Sequence, residues 1–555
     1  MKKIGYLLGN KPNSPYEFYF LVDKNCLVQL DDVVIVRSFI NDKEIIYYGI
    51  VREIVKYTEA SQYAIETELI IDNKIPYVNV AVAKVFVTRI EPEIYTPPNP
   101  SAEVFLAEKE ECEIALYFDK MKNKIPIGFL RNGFNAYINL DFLDGTSGAH
   151  INIGGMSGVA TKTSFATFLL FSLFQKSPNS SNYRAIIFNV KSSDLLYLNY
   201  KNNYKNLKSI EKEELEKNYS SLGLIPDSFK NITILIPPKK ISASINKTID
   251  VNDTLIKGKL YYFTLPEIFN KELFKFFFTD ETKDFSSLER IISIVEKHIN
   301  NLIQKTKIDL LEEGVIETDN GYIENLEELF DYVKFYLDKN ANIINESRAT
   351  INAFIRRFKK VKDDCNFLVG RKQSDKVDII DEIINNQLTV IDVHNLNEKA
   401  KLFVVSSVLY MIYLRKEEEN DPNKYFFVID ELNKYAPASS DTPIKDVIID
   451  IAERGRSIGI IIIGAQQTAS QIEPRVLSNC SIKVIGRSDS FELSKTFYNF
   501  LSEDLKKRAI ILKPGNMIVL QPDCPVPIAI TFPYPSWATR KEEVLDEINI
   551  KNVLF

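Results

Sequence analysis

Two short stretches, far apart in the chain, constrain its fold most. The first is a glycine-rich turn that ends in Lys162-Thr163, after an apolar run and before a helix-like one. The second, residues 425–431, has a buried-strand pattern that ends in two adjacent carboxylates, Asp430 and Glu431. Together they predict a site for a nucleoside triphosphate and its magnesium ion.

The glycine-rich turn departs from the usual phosphate-binding loop. The common pattern is G-x-x-x-x-G-K-S/T, whereas here Thr161 precedes Lys162 and the loop from Gly155 to Lys162 is one residue longer. Glycine is usual before the lysine because the backbone must wrap closely around phosphate oxygens. Alone, this turn also fits an ordinary strand-turn-helix corner, and residues 425–431 alone also fit a solvated strand end. Both patterns in this order favour nucleotide binding.

Each residue type in these patterns suits one part of the chemistry. Lys162 and the loop amides would hold the phosphates at a helix N-terminus, and Thr163 and Asp430 would hold Mg²⁺. Glu431 would activate water. Side chains alternate along a strand, so Asp430 and Glu431 point different ways, which suits one carboxylate for metal and one for water. The predicted ATP-binding set is Gly155, Ser157, Gly158, Val159, Ala160, Thr161, Lys162, Thr163 and Ser164.

Composition restricts the partners and the compartment. A chain of 555 residues with 45% apolar content has room for about three to four compact units. The net charge of −6 excludes a broad polyanion-binding surface, so nucleic acid would have to contact a local basic stripe, such as the lining of a ring. Five scattered cysteines, without a C-x-x-C pair, indicate a reduced, cytoplasmic protein without a zinc site. No apolar run approaches the length of a membrane span.

The sequence pattern changes along the chain and predicts a domain plan. It begins with short strands separated by polar turns, as in a small β-barrel, and a proline-rich linker follows at 97–100. Strands then alternate with helices, as in a parallel α/β core, with a charged helical segment inserted. The predicted segments are a barrel at 1–95, core parts at 125–265 and 386–535, a helical insertion at 266–385, and a tail at 536–555.

Further motifs complete the pattern in a specific order. They are the segments 125–128 and 150–154 before the loop, 426–431, 453–459, Gly464 to Gln467 with 473–480, and 514–520. Over nearly the whole chain this order resembles the HerA family of hexameric ATPases, within the wider HerA/FtsK group. The resemblance implies a RecA-like P-loop ATPase core of α/β class, an N-terminal barrel, a helical insertion, and a C-terminal brace at 536–555 that embraces the next subunit.

The resemblance also implies catalytic residues besides Lys162 and Glu431. Arg456 would supply a positive charge to the nucleotide of the adjacent subunit, although a solvated helix end remains an alternative, and Arg454 is the second candidate. Gln467 would be the sensor glutamine, with Gln466 as the other candidate. His150 is interpreted as a packed or interface residue, with a catalytic base as the alternative.

Three departures from the family concern the rate of hydrolysis more than nucleotide binding. The loop lacks its second glycine, Asn189 stands where many family members have aspartate, and Ala149 stands where a basic residue is frequent in archaeal members.

Two function classes follow. The first is a cytoplasmic homohexamer that hydrolyses ATP and translocates double-stranded DNA, without a membrane. Its partner would be a nuclease or a sirtuin-type NADase effector, in DNA end processing or antiphage defence. The second is a nucleotide-dependent scaffold that assembles and activates such an effector with little DNA movement. DNA-stimulated ATPase activity would separate the two classes.

Overall fold

The computed structural model describes residues 1–58, 71–72, 79–156, 162–205, 207–238, 255–278, 285–319, 321–344 and 346–544. The chain divides into two compact units. The first comprises Met1–Phe142, Met156–Thr161 and Ile482–Pro533. The second comprises Leu143–Gly155, Lys162–Ser481 and Tyr534–Phe555.

The first unit begins with a closed antiparallel barrel, which confirms the predicted N-terminal β-barrel. Strand order around the barrel is β1-β2-β5-β4-β3-β6. In β2, Phe18 and Phe20 are fully buried while Leu21 is exposed, as expected when side chains alternate between the inside and the outside of a barrel. The strands are β1 (Lys2–Leu7), β2 (Glu17–Val22), β3 (Val33–Ile40), β4 (Lys43–Thr58), β5 (Asn79–Glu91) and β6 (Glu103–Leu106).

Strand β6 lies beyond the proline-rich stretch at 97–100, which as a local pattern predicts the end of this unit. It pairs with both β1 and β3 and so closes the barrel. The barrel therefore extends past residue 95, because its first strand finds its second partner only after the prolines.

The rest of the first unit is an antiparallel sheet with short helices. Within this unit the strand order is β18-β19-β20-β7-β8. Its strands are β7 (Lys124–Phe129), β8 (Asn135–Asn139), β18 (Cys480–Ile485), β19 (Asn516–Leu520) and β20 (Ile528–Thr531). Its helices are α1 (Lys109–Ala115), α13 (Ser490–Leu493) and α14 (Glu503–Ile510).

The second unit is built on a parallel sheet, as the alternating pattern predicts. Its strand order is β12-β11-β15-β10-β16-β17-β9, and all of these pairs are parallel. The strands are β9 (Ala149–Gly154), β10 (Tyr183–Asn189), β11 (Ile232–Ile236), β12 (Lys259–Leu260), β15 (Leu388–Asp392), β16 (Lys424–Asp430) and β17 (Ile460–Gln466). A separate hairpin joins β13 (Ile316–Thr318) to β14 (Gly321–Ile323).

Helices complete the second unit, and in chain order most of them come after β12 and before β15. Helix α2 buries nearly every residue from Phe165 to Leu173, which fits a helix that is apolar on all sides. Helix α11 ends at Gly459, whose φ of 75° is the left-handed conformation that glycine adopts readily after a helix. The helices are α2 (Lys162–Lys176), α3 (Ser209–Ser221), α4 (Leu265–Asn270), α5 (Phe285–Ile303), α6 (Ile308–Glu312), α7 (Leu326–Lys339), α8 (Arg348–Cys365), α9 (Ile379–Asn385), α10 (Glu398–Glu418), α11 (Lys445–Ile458) and α12 (Pro474–Ser478).

The tail that follows β20 packs within the second unit as far as residue 544. Trp537 is buried, and its ring lies 4.7 Å from that of Phe171 and 5.2 Å from that of Phe229. The hydroxyl of Ser536 donates a hydrogen bond to the carbonyl oxygen of Asp227 at 2.7 Å. The remaining part of the predicted brace, residues 545–555, lies outside the described residues.

Candidate nucleotide-binding site

The candidate site forms where three parallel strands end. Strand β17 lies between β9, which leads to the glycine-rich turn, and β16, which leads to the two carboxylates. The N–H of Gly155 donates a hydrogen bond to the carbonyl oxygen of Gln466 at 3.1 Å, which ties the start of the turn to the end of β17. Carboxyl ends of parallel strands are where open α/β sheets bind ligands.

Part of the predicted phosphate-binding loop, Ser157, Gly158, Val159, Ala160 and Thr161, lies outside the described residues. Lys162 is the first residue of α2. Thr163 and Ser164 follow in the first turn of that helix and are half-buried, and the carbonyl oxygen of Thr163 accepts a hydrogen bond from the Thr167 hydroxyl at 2.7 Å.

Lys162 carries a buried ammonium beside the two carboxylates. Its Nζ donates a hydrogen bond to the carbonyl oxygen of Gly155 at 2.8 Å. Burial lowers the pKa of Lys162, and the negative charges of Glu431 and Asp430 act in the opposite direction. The structure thus brings Lys162 close to the acidic pair, although these residues are far apart in the sequence.

The acidic pair sits where the chain turns sharply out of β16. Asp430 is the last residue of that strand, and Glu431 has a φ of 56°, in the left-handed region. Such a conformation is costly for a residue other than glycine and is concentrated at functional sites. The N–H of Glu431 donates to the carbonyl oxygen of Ala465 at 2.7 Å, which holds the turn against β17.

Lys191 belongs to the same cluster, although no motif in the sequence indicates it. Its Nζ lies 2.8 Å from Oδ2 of Asp430 and 3.7 Å from Oε1 of Glu431. Burial lowers the pKa of Lys191, but the hydrogen bond and charge of Asp430 outweigh that effect and leave the pKa raised. The one indication in the sequence is that Lys191 follows β10 by two residues, because β10 pairs with β16, the strand that leads to the acidic pair.

The two neighbouring glutamines at the end of β17 have opposite environments. The side chain of Gln466 is fully buried, and in the part of the chain that the structure describes neither its Nε2 nor its Oε1 has a hydrogen-bond partner. Gln467, the predicted sensor, is exposed. A Cβ built on Gly464 would lie 3.2 Å from Oε1 of Gln466 and 2.7 Å from Leu432, so the buried amide lies beside the turn that follows the acidic pair.

The arginines of α11 differ in their pairing. Arg454 donates to Asp450 at 2.9 Å and to Glu417 at 2.7 Å. Arg456 is exposed, and among the described residues no carboxylate lies within ion-pair distance of it. Arg456 is therefore the arginine of this helix whose guanidinium is available to another molecule.

His150 is a packed residue of β9. It is buried, its Nδ1 accepts a hydrogen bond from the N–H of Ile462 at 3.0 Å, and a Cβ built on Gly455 would lie 2.4 Å from its Nε2. Burial lowers the pKa of His150 to about 4, so its ring is neutral at physiological pH. This environment fits the packing interpretation of His150.

The residues present fit a nucleotide with Mg²⁺. Among the described residues, the buried Oδ1 of Asp430 has no hydrogen-bond partner, so a carboxylate oxygen is available to coordinate a cation. Mg²⁺ prefers oxygen ligands and is usually held by one or two carboxylates together with substrate phosphates. The ammonium of Lys162 would supply the matching countercharge for phosphate. Along the described part of the chain, no helix combines the length and the apolar character needed to cross a bilayer.

Comparison with known proteins gives one curated relative of weak similarity. No family model matches the sequence. The DNA double-strand break repair helicase HerA of Sulfurisphaera tokodaii is 26% identical over 193 residues, which cover 33% of this chain and 36% of that protein. The matched region therefore spans little more than a third of the relative.

Solved structures align with much more of the chain at low similarity. VirB4 of Thermoanaerobacter pseudethanolicus is 16% identical with a TM-score of 0.44, over 74% of this chain and 96% of its own. The conjugative coupling protein TrwBΔN70 is 12% identical with a TM-score of 0.48, over 80% of this chain and 95% of its own.

The fold and the site define the class of protein. A parallel sheet, a helix that begins at Lys162, and an acidic pair at the end of a nearby strand form a P-loop ATPase core of the RecA-like type. The similarity to HerA, over a third of this chain, confirms the resemblance to the HerA family that the motifs indicate.

Proposed function

We propose that this protein binds ATP with Mg²⁺ at the site described above and uses ATP hydrolysis to translocate double-stranded DNA through a homohexameric ring. The observation that carries the proposal is the convergence of Lys162 with Asp430 and Glu431 beyond the ends of β9 and β16, the two strands that flank β17. A buried lysine next to two carboxylates is the set of charges that phosphoryl transfer requires.

Each residue of the site has a part in this proposal. Lys162 binds the phosphates, Thr163 and Asp430 hold Mg²⁺, and Glu431 accepts a proton from the attacking water. When bound, Mg²⁺ neutralises charge on the phosphate oxygens. For the sensor role we propose Gln466 in place of Gln467, since its buried amide makes no hydrogen bond to any described residue, whereas Gln467 is exposed.

A neighbouring subunit would complete the site. The proposed ligands Lys162, Asp430 and Glu431 all follow strands of one sheet and would approach the nucleotide from one side. The charge that develops on the terminal phosphate would then need a partner on the other side. Arg456 suits that role because it is exposed and has no carboxylate partner among the described residues. This arrangement requires a ring in which each subunit lends Arg456 to the next.

DNA would contact a local basic surface, since the net charge of −6 excludes a general one. Helix α8 offers such a surface: Arg356, Lys359 and Lys360 are all exposed on it. The relative from Sulfurisphaera tokodaii is named as a DNA double-strand break repair helicase, which supports DNA as the substrate. We further propose a cytoplasmic location and a nuclease or sirtuin-type NADase as effector, in DNA end processing or antiphage defence.

The decisive experiment measures ATP hydrolysis by the full-length protein with and without linear duplex DNA at low salt. We expect Mg²⁺-dependent hydrolysis that DNA stimulates, together with movement along DNA detected by displacement of a bound oligonucleotide or protein block. Rings that assemble and bind ATP, yet show neither DNA stimulation nor movement, would instead support the scaffold function.

A further inference from the structure

Lys191 bridges the two carboxylates of the candidate metal site. Its Nζ is 2.8 Å from Asp430 and 3.7 Å from Glu431. The Lys191 side chain is 55% exposed, whereas those of Asp430 and Glu431 are 11% and 17% exposed. A lysine that reaches out to solvent therefore covers a largely buried acidic pair.

The charges of this cluster are balanced before any ligand is considered. The cluster contains two carboxylates, Asp430 and Glu431, and two ammonium groups, Lys162 and Lys191. Each ammonium group interacts electrostatically with both carboxylates. A divalent cation that binds Asp430 adds two positive charges within a few ångströms of the Lys191 ammonium. The resulting repulsion is strong at such a distance, even at the effective dielectric constant of a partly exposed site.

Lys191 can respond to this repulsion by moving. Lysine is a compact charge on a flexible four-carbon stem, and this one is more than half exposed, so a change of rotamer disrupts little packing. Asp430 is fixed by comparison, as the last residue of a buried strand. Its Oδ2 binds Lys191, while its buried Oδ1 has no hydrogen-bond partner within the described ranges, and a metal on either oxygen would lie close to the ammonium.

The anion that would receive the displaced ammonium is the nucleotide itself. Lys162, the proposed phosphate ligand, lies close enough to Lys191 for the charge of Lys191 to perturb it. A phosphate bound at Lys162 is thus within the same small cluster of charges. ATP offers a terminal phosphate there that ADP lacks.

We propose that Lys191 is an exchange cation: Mg²⁺ displaces its ammonium from Asp430, and the ammonium then binds the terminal phosphate of ATP. This inference rests on the proposed function and extends it, because it makes Lys191 a residue that distinguishes ATP from ADP. Two opposite effects follow for a variant without the charge. Metal should bind more tightly, since its competitor is gone, and the preference for ATP over ADP should fall.

The test uses the full-length protein and two binding measurements that do not depend on turnover. Binding of Mn²⁺ alone is followed by electron paramagnetic resonance of the free ion. Binding of fluorescent ATP and ADP analogues is followed with Mg²⁺ in excess. For Lys191→Met we expect Mn²⁺ affinity to rise and the ATP-to-ADP affinity ratio to fall, each by about tenfold, as expected for one charge-assisted contact.

Two further variants serve as controls. Lys191→Arg keeps the charge and should keep both quantities within about threefold of wild type. Lys217→Met removes an exposed lysine of α3 and should change neither. If Lys191→Met leaves either the Mn²⁺ affinity or the ATP-to-ADP ratio unchanged while wild type binds the ATP analogue through Lys162, the inference is wrong and the nucleotide site stands. If wild type does not bind the analogue, or Lys162→Ala binds it equally well, the proposed function fails and the inference fails with it.

Discussion

The ammonium of Lys162 donates a hydrogen bond to the carbonyl oxygen of Gly155 at 2.8 Å, which joins the first residue of α2 to the residue that follows β9. The hydrogen bond stabilises the buried ammonium of Lys162, because a buried charge is costly unless it has a polar partner. A phosphate that binds there would take over that stabilisation. Lys162 is therefore positioned by the strand end before any nucleotide arrives.

Lys162→Ala and Glu431→Gln should impair the ATPase at different steps. Loss of the Lys162 charge should weaken ATP binding by about 10- to 100-fold, because a charge-assisted hydrogen bond is lost. Glu431→Gln keeps the shape of the side chain and should retain ATP, while hydrolysis falls by about 100-fold or more, as for loss of a general base. Nucleotide binding and single-turnover hydrolysis separate the two steps. Glu418→Gln, on an exposed residue of α10, is the matched control, and wild-type hydrolysis by Glu431→Gln would refute the assignment.

Subunits that lack Arg456 should be rescued by subunits that lack Glu431. In a mixed ring some junctions combine an intact Glu431 on one subunit with an intact Arg456 on the next. We therefore expect Arg456→Ala and Glu431→Gln subunits, each inactive alone, to regain part of the ATPase activity when mixed. Arg454→Ala should behave differently, because Arg454 is already paired with Asp450 and Glu417. No recovery in rings shown to be mixed would place the complete site within one subunit.

Removing the basic surface of α8 should weaken DNA binding without affecting nucleotide binding. The triple change Arg356→Ala, Lys359→Ala and Lys360→Ala should lower duplex affinity at low salt. Each lost phosphate contact should also reduce the slope of log affinity against log salt by about 0.9. Anisotropy of a labelled duplex over a salt series gives both quantities. The control is a triple change of exposed lysines outside this helix, Lys217→Ala, Lys230→Ala and Lys257→Ala. If the control loses as much duplex affinity as the α8 variant, a specific role for α8 is contradicted.

His150 should make the fold sensitive to mild acid. Burial lowers its pKa to about 4 from an ordinary value of 6.5, so the unfolded chain takes up a proton that the folded chain rejects. Stability from this group is complete above about pH 6.5 and is lost as the pH falls towards 4, by roughly 3 kcal/mol in all. The variant His150→Asn suits the positive φ at this position and cannot be protonated. Urea unfolding of both proteins should show a smaller acid-induced loss in the variant, whereas equal losses would show that His150 is not responsible.

Trp537 should stabilise the subunit that contains it. Its ring packs on Phe171 and Phe229, so Trp537→Ala should lower the free energy of unfolding by about 3–5 kcal/mol. Tyr322→Ala, at a side chain that is 61% exposed, should change it little. Similar unfolding curves for Trp537→Ala and wild type would mean that the tail contributes nothing to this core.

Removal of residues 545–555 tests the proposed brace separately, with the size of the ring measured by light scattering.

Local sequence patterns were sufficient for much of the architecture. Alternating side chains such as Phe18 and Phe20 indicate barrel strands, and the apolar run after Lys162 indicates a buried helix, because both signals depend only on the period of the element. The proline-rich stretch misled the placement of the barrel's end, since pairing of β6 with β1 and β3 is a long-range contact that outweighs a local turn signal.

The amino-acid sequence by itself determined the fold class of the protein and predicted the main candidate residues of its site, because Lys162, Asp430 and Glu431 stand in short motifs. Only the tertiary structure brought Lys191 to the acidic pair, by placing β10 beside β16. It also distinguished the buried Gln466 from the exposed Gln467. Strand order and register are set by packing among distant segments, and a single lysine or glutamine carries no local signal of which neighbours that packing will give it.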